Sequence, residues 1–275
     1  ESTLTYDGVN FKIGTGVTIS TTSGVATFRS GRIDVGDALL NTSIGQNAGD
    51  AVTTGEKNVA VGNHAATSIT TGTKNVAIGY VALGDLTTAH NNVAIGDEAL
   101  QSCVTGSDNT AIGRRALKVN TESSNTAIGA DALTANTTGT ANVAVGQGSL
   151  QSNTTGTNNT AVGQVALRDT TTGSHNTAVG EEALKVNTTG DSNVAIGRNS
   201  LRANTTADNN TAVGDNTLLV NTTGTDNVAV GRNSLDANTT GGNNTAMGSG
   251  SLSSNNTAHN NTAVGYIALN ANTTG

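Results

Sequence analysis

With 275 residues, no Trp, no Pro and only 2% aromatic side chains, the chain lacks the bulky residues from which a globular core of this length is built. Its formal charge of −7 and pI near 4.9 come with no basic column that could track phosphates, so no nucleic-acid partner is expected. A single cysteine rules out an intrachain disulfide, and without an apolar run of roughly 18 residues no membrane insertion is expected.

Residues 1–40 differ in pattern from the rest of the chain. Tyr6, Phe11 and Phe28 fall here, with alternating stretches at 17–19 and 25–28, and the segment reads as a small β-rich cap or connector. A stacked array needs such a cap because its first unit otherwise exposes an unpaired edge.

From Gly45 onward a 17-residue phrase, GxxALxxNTTGxxNTAV, repeats to the end of the chain. Its marker glycines are Gly45, Gly62, Gly79, Gly96, Gly113, Gly129, Gly146, Gly163, Gly180, Gly197, Gly214, Gly231, Gly248 and Gly265. One interval is 16 rather than 17, where Thr121, Glu122, Ser123 and Ser124 replace the usual ThrThrGly and its two followers. A fixed period of this kind signals a one-dimensional stack in which no unit buries its apolar face alone. Residues 41–275 are thus expected to form an all-β parallel β-solenoid of about fourteen 17-residue coils. Thirteen intervals at the strand spacing of ~4.8 Å give a rod of roughly 60 Å.

Counting offsets from each marker glycine turns the chain into columns. Offset 13 is Asn, offset 15 Ala and offset 16 Val or Ile except for Met247; offset 4 is Leu in twelve of fourteen units. Disordered chains do not hold such columns. Two short strands per unit are expected, one at NTAV and one around the AL pair. The expected core is Leu83, Leu100, Leu117, Leu133, Leu150 and Leu167, with Ala60, Ala77 and Ala94 and with Val61, Ile78 and Ile95. Within NTAV, residues of opposite parity face opposite ways. An invariant Ala opposite Val or Ile then implies that one face lies inside the coil and the other against a second chain, and the Ala column is the face expected to meet that chain. So small a core is a thin return on a backbone entropy cost of roughly 1–2 kcal/mol per residue, and a homotrimeric fibre is the expected remedy.

Offset 7 is apolar in the first four units, at Val52, Ile69, Leu86 and Cys103, and then becomes Asn, with Thr170 the exception. Asn136, Asn153, Asn187, Asn204, Asn221 and Asn238 are expected to form a ladder in which each amide donates to one neighbour and accepts from the next. Cys103, among hydrophobic column-mates, reads as a buried thiol. The four histidines make no HxH pair, the aspartates at 108, 191, 208 and 226 lack a calcium signature, and no metal or cofactor is expected. The adjacent carboxylates Asp97/Glu98 and Glu181/Glu182 would point to opposite faces of a strand, so neither pair converges on one bond and no enzyme is expected. Glycans on the AsnThrThr triplets of successive coils would collide at ~4.8 Å. The consecutive threonines at offsets 8 and 9 describe a corner, whereas an ice-binding face needs outward residues at i and i+2. Variable outward positions, with Tyr80, His64 and Tyr266 among them, are the candidate surface contacts.

AsnThrAlaValGly and AsnValAlaIleGly, followed three residues later by AlaLeu, resemble the NTAVG-type repeats of phage tail-fibre proteins. They are also similar to the head repeats of trimeric autotransporter adhesins, which form a left-handed parallel β-roll with three chains around one axis. The resemblance covers about 230 of the 275 residues. It implies a homotrimeric, non-enzymatic virion fibre shaft that attaches to a host-cell receptor or glycan. The 17-residue period, longer than that of the adhesin heads, and the NTTG corner favour the phage fibre over a bacterial surface adhesin or extracellular filament. A polysaccharide-degrading tailspike is a third reading.

Overall fold

A computed structural model describes residues 4–6, 11–13 and 39–273. The chain divides into two compact units, Glu1–Val35 and Gly36–Gly275. In the first, strands β1 (Leu4–Tyr6) and β2 (Phe11–Ile13) pair antiparallel, Tyr6 opposite Phe11. The remainder of the expected cap, with Phe28 and the alternating stretches at 17–19 and 25–28, lies outside the described residues.

The second unit is an all-β parallel solenoid. Its fourteen described strands, β3 (Thr42–Ile44) to β16 (Thr262–Val264), are each three residues long and form one sheet in strict chain order. Every pairing is in register: Ala161 lies between Ala144 and Ala178, Val162 between Val145 and Val179. The register survives the 16-residue coil, where Ala111 pairs with Ala127.

Only the NTAV segment forms a strand, and the second strand expected around AL is absent from the described coils. There the backbone takes positive φ at two alternate residues of each coil, as at Asp131 (60°) and Leu133 (50°) or Glu182 (58°) and Leu184 (50°). The left-handed region costs an L-residue roughly 1–2 kcal/mol, and leucine accepts it here because the turn drives its side chain fully inside. Its N–H is not lost: Leu150 donates to the Ala166 carbonyl of the next coil at 3.0 Å, and Leu133 does the same to Ser149.

Of the strand residues expected in the core, the alanines are there and the Val/Ile residues are not. Ala60, Ala77, Ala94 and their column-mates are at most 3% exposed within a single chain, whereas Val61 and Ile95 are only half-buried and Ile78 is 38% exposed. The Ala column is therefore interior to the coil, not an interchain face, and the Val/Ile column is surface rather than core. Parity explains it. The Asn at offset 13 must turn inward, because Asn142 donates its amide to the Gly156 carbonyl at the inner corner (2.8 Å), and Ala144 shares its side of the strand. The leucines Leu83, Leu100, Leu117, Leu133, Leu150 and Leu167 fill the opposite wall at 0% exposure, leaving room for a methyl group and no more. At the start of the array Ile69, Leu86 and Cys103 are buried in the offset-7 column, with Val52 packed against them.

The marker glycine is required by space as much as by φ. At Gly146 φ is 133°, and a Cβ there would sit 2.4 Å from the Gly163 carbonyl oxygen of the next coil. Gly146→Ala is expected to destabilise the solenoid by more than ~3 kcal/mol, read as a fall in melting temperature; Gly148→Ala, whose new Cβ would meet only side-chain atoms at 3.4 Å, provides the milder control.

Candidate functional site

The interior holds two asparagine ladders. In the first, at offset 7, Asn136 donates to Asn120 Oδ1 (2.6 Å), Asn153 to Asn136 (2.7 Å), Asn204 to Asn187 (2.8 Å), Asn221 to Asn204 (3.2 Å) and Asn238 to Asn221 (2.9 Å). The second, at offset 13, is visible in the sequence only as a constant column. Its asparagines accept at Oδ1 from the backbone N–H of the next coil's Asn, as Asn142 does from Asn159 (3.0 Å), and donate their amides to a corner carbonyl. The two ladders meet at that corner: the Gly156 carbonyl takes Asn142 Nδ2 at 2.8 Å and Asn153 Nδ2 at 3.0 Å, which uses both of its lone pairs.

Corner threonines complete the scheme. The backbone N–H groups of Thr137, Thr138 and Gly139 all converge on the Thr154 carbonyl, at 3.0, 3.0 and 3.3 Å, and the Thr137 hydroxyl donates to the same oxygen at 3.0 Å. The offset-8 threonines thus spend their hydroxyl protons on the backbone of the next coil, at the surface of the corner. Sequence pattern can locate the NTTG corner but not this convergence, because backbone direction is invisible in side-chain periodicity.

Thr170 breaks the first ladder. Its hydroxyl and Asn153 Oδ1 are both buried with no protein hydrogen-bond partner, and the Asn187 amide donates to the Gly190 carbonyl (2.9 Å) but no longer to the preceding coil, while its Oδ1 still accepts from Asn204.

Three outer surfaces remain. One is the sheet face, carrying Thr or Val at offset 14 and Val or Ile at offset 16; Ile128, Val162, Ile196 and Met247 are 37–43% exposed along it. It presents outward residues at i and i+2, the geometry missing from the ThrThr corner. A second surface, at offsets 1, 2 and 5, is charged, and its ion pairs cross between coils: Arg114 to Asp131 at 2.9 Å, Lys118 to Glu98 at 2.7 Å and Arg202 to Glu182 at 2.6 Å. The Glu182 carboxyl is held below the usual carboxylate range, first by Lys185 and then by Arg202. Asp97/Glu98 and Glu181/Glu182 lie in turns on this one charged surface, not on opposite faces of a strand as expected, and Glu98 and Glu182 are engaged in ion pairs. A third surface, at offset 11, caps backbone donors of the preceding coil: His90 Nδ1 accepts from Thr73 N at 3.0 Å, His259 Nδ1 from Gly242 N at 2.9 Å and Asp191 Oδ1 from Ser174 N at 2.6 Å.

Tyr80 and Tyr266 stand on the charged surface, 55% and 78% exposed, and His64 lies beside Tyr80. Tyr80 and His64 line one cleft and Tyr266 a second one, with Asp236, whose carboxyl burial pushes above its ordinary range. No group of three or more His, Cys, Asp or Glu side chains positioned to hold a metal occurs among the described residues. Comparison of the chain with protein-family models, curated proteins and solved structures yields no match.

Two expectations arise from the interior. Thr170→Asn, by restoring the ladder, should stabilise the solenoid by about 1 kcal/mol, whereas Asn187→Ala should destabilise it more than the corner change Ser192→Ala; melting temperatures compare them. The Cys103 thiol, pushed up to about 11 by burial, should not react with a disulfide reagent at pH 8 until the chain is denatured.

Proposed function

We propose that this chain is a structural and adhesive fibre shaft of a phage tail, located in the virion and mediating attachment to a host cell. The observation that carries the reading is the division of labour between columns. The interior columns at offsets 4, 13 and 15 repeat as Leu, Asn and Ala with few exceptions, while offsets 1, 2 and 5 change from coil to coil among Tyr, Arg, Gln, Glu, Asp and His. A uniform interior supplies stiffness along the axis and a variable exterior supplies contacts, which suits a rod that holds weak binding points at fixed spacing. The resemblance to NTAVG-type tail-fibre repeats supports the same role.

In this reading the shaft is a homotrimer, and its contact face is the outward Val/Ile and Thr/Val surface. The face runs the length of the repeats, is built from β-branched residues and is free of charge at offsets 14 and 16. A contiguous apolar strip of this kind marks an interaction surface. Three copies meeting along it would bury the strip that the single chain leaves half-exposed. No catalytic step is assigned to the chain.

Light scattering at micromolar concentration should give about three times the 27.2 kDa chain mass, and the pair Val162→Glu and Ile196→Glu should reduce it to the monomer while leaving the β-rich circular dichroism intact. A monomeric wild-type chain would remove the trimer. Failure of the fluorescently labelled chain to bind any of a panel of bacterial cells would remove the adhesive role.

A further inference from the structure

The third coil departs from the repeat at three positions at once, and all three departures meet in space. Offset 1 carries Tyr80, where the other described coils have small, polar or charged residues until Tyr266. Offset 5, which holds Gln101, Lys118, Gln151, Arg168, Lys185 and Arg202 in later coils, falls to Gly84, the only glycine in that column. Offset 6 carries Asp85 in place of the Ala, Ser or Val found in most coils. Removing the long offset-5 side chain opens a notch of about 340 Å³ beside the tyrosine, with His64, Thr67, Ser68 and Asp85 around it. Small-molecule sites begin at about 300 Å³.

We propose that this notch is a saccharide-binding site for a neutral or N-acetylated hexopyranose of a cell-surface polysaccharide; the proposal rests on the adhesive reading above and supplies its ligand class. The chemistry matches point by point. The exposed Tyr80 ring offers a flat apolar face to the axial C–H groups of a pyranose, with a hydroxyl at its edge. Asp85 is exposed and can accept hydrogen bonds from two vicinal sugar hydroxyls, a charge-assisted geometry that also disfavours acidic sugars. Ser68 adds a hydroxyl that donates or accepts. Thr67 already donates its proton to the His64 carbonyl at 2.7 Å, so its oxygen faces the notch as an acceptor and the rim is held in place. Gly84 is the floor: its backbone φ is ordinary, and a Cβ there would stand 2.7 Å from Val81 Cγ1, so any side chain at this position must push Val81 aside in the wall of the notch.

The second cleft is built on offsets 1, 2 and 5, and there Tyr266 stands with Asp236 and Ser253, whose carboxylate and hydroxyl come from offset 5 rather than offset 6. Both clefts combine one exposed aromatic ring with a carboxylate and a hydroxyl on the same side of the solenoid. Eleven coil intervals separate the two tyrosines, a distance of roughly 53 Å at ~4.8 Å per coil, so the pair would engage separate residues of a long polysaccharide, or separate chains, rather than one ring.

The test is saturation-transfer NMR on the full chain with the methyl glycosides of glucose, galactose, mannose and N-acetylglucosamine, performed in a Tyr266→Ala background so that one notch is read at a time. Transfer to at least one glycoside is expected, and Tyr80→Ala should weaken its apparent affinity at least tenfold with the melting temperature unchanged. Gly84→Gln, which installs the side chain of coil four, should do the same with the ring still present. No transfer to any of the four glycosides, or transfer that survives Tyr80→Ala undiminished, overturns the site. Cell binding by the Tyr80→Ala/Tyr266→Ala chain equal to that of the wild type would also overturn it while leaving the adhesive shaft standing; loss of the shaft reading itself requires a wild-type chain that binds no cells.

Discussion

The structure depends on a single spacing. Because successive coils stack one strand apart, each backbone or side-chain group finds its partner in the equivalent group one repeat away. The ladder amides and the corner threonine hydroxyls are satisfied by groups one coil away, apart from the break at Thr170, and the corner carbonyls by asparagines of the same coil and its neighbour. A buried amide that lacks a partner costs far more than a satisfied one returns. The polar interior is therefore tolerated only because the repeat is exact in register. The same spacing explains the marker glycines, which stand where the backbones of neighbouring coils come closest.

This inverts the usual source of stability in a domain of this length. No side chain larger than leucine or isoleucine is fully buried among the described residues, so hydrophobic burial per coil is small. Hydrogen bonding along the axis fixes the left-handed leucines and holds them against their conformational preference. Stability is accordingly a sum over neighbouring coils, and local losses such as the interruption at Thr170 stay local.

The periodicity of the sequence defines the solenoid, its 17-residue coil and the offset-7 ladder, because equal columns imply equal environments. It cannot tell which side of the NTAV strand faces inward. Alternation distinguishes two faces without ranking them, and the habit of turning Val and Ile inward gives the wrong answer when the inward neighbour is an asparagine with a fixed partner. The AL segment reads wrongly as a strand for a related reason: side-chain types do not disclose a positive φ at leucine. Of the candidate contact residues, Tyr80, His64 and Tyr266 are legible as exceptions within their columns. The notch beside Tyr80 is only half legible: Gly84 shows in the sequence as the lone glycine of its column, but that Tyr80, His64 and Asp85 meet around it requires the stacked coils.

The 16-residue coil has a consequence at the level of the gene. Its lost residue falls at the corner, where the Glu122 carbonyl takes over the duty of the corner glycine, accepting from Asn109 at 2.8 Å and Asn120 at 2.5 Å, and the strands on either side stay in register. Loss of one codon inside the strand would instead exchange its two faces, expelling an asparagine and an alanine and forcing valine into a space sized for a methyl group. Length changes are thus filtered by position: the register tolerates a lost residue at a corner but not in a strand, and gain or loss of a whole repeat lengthens or shortens the solenoid by one coil with its faces unchanged.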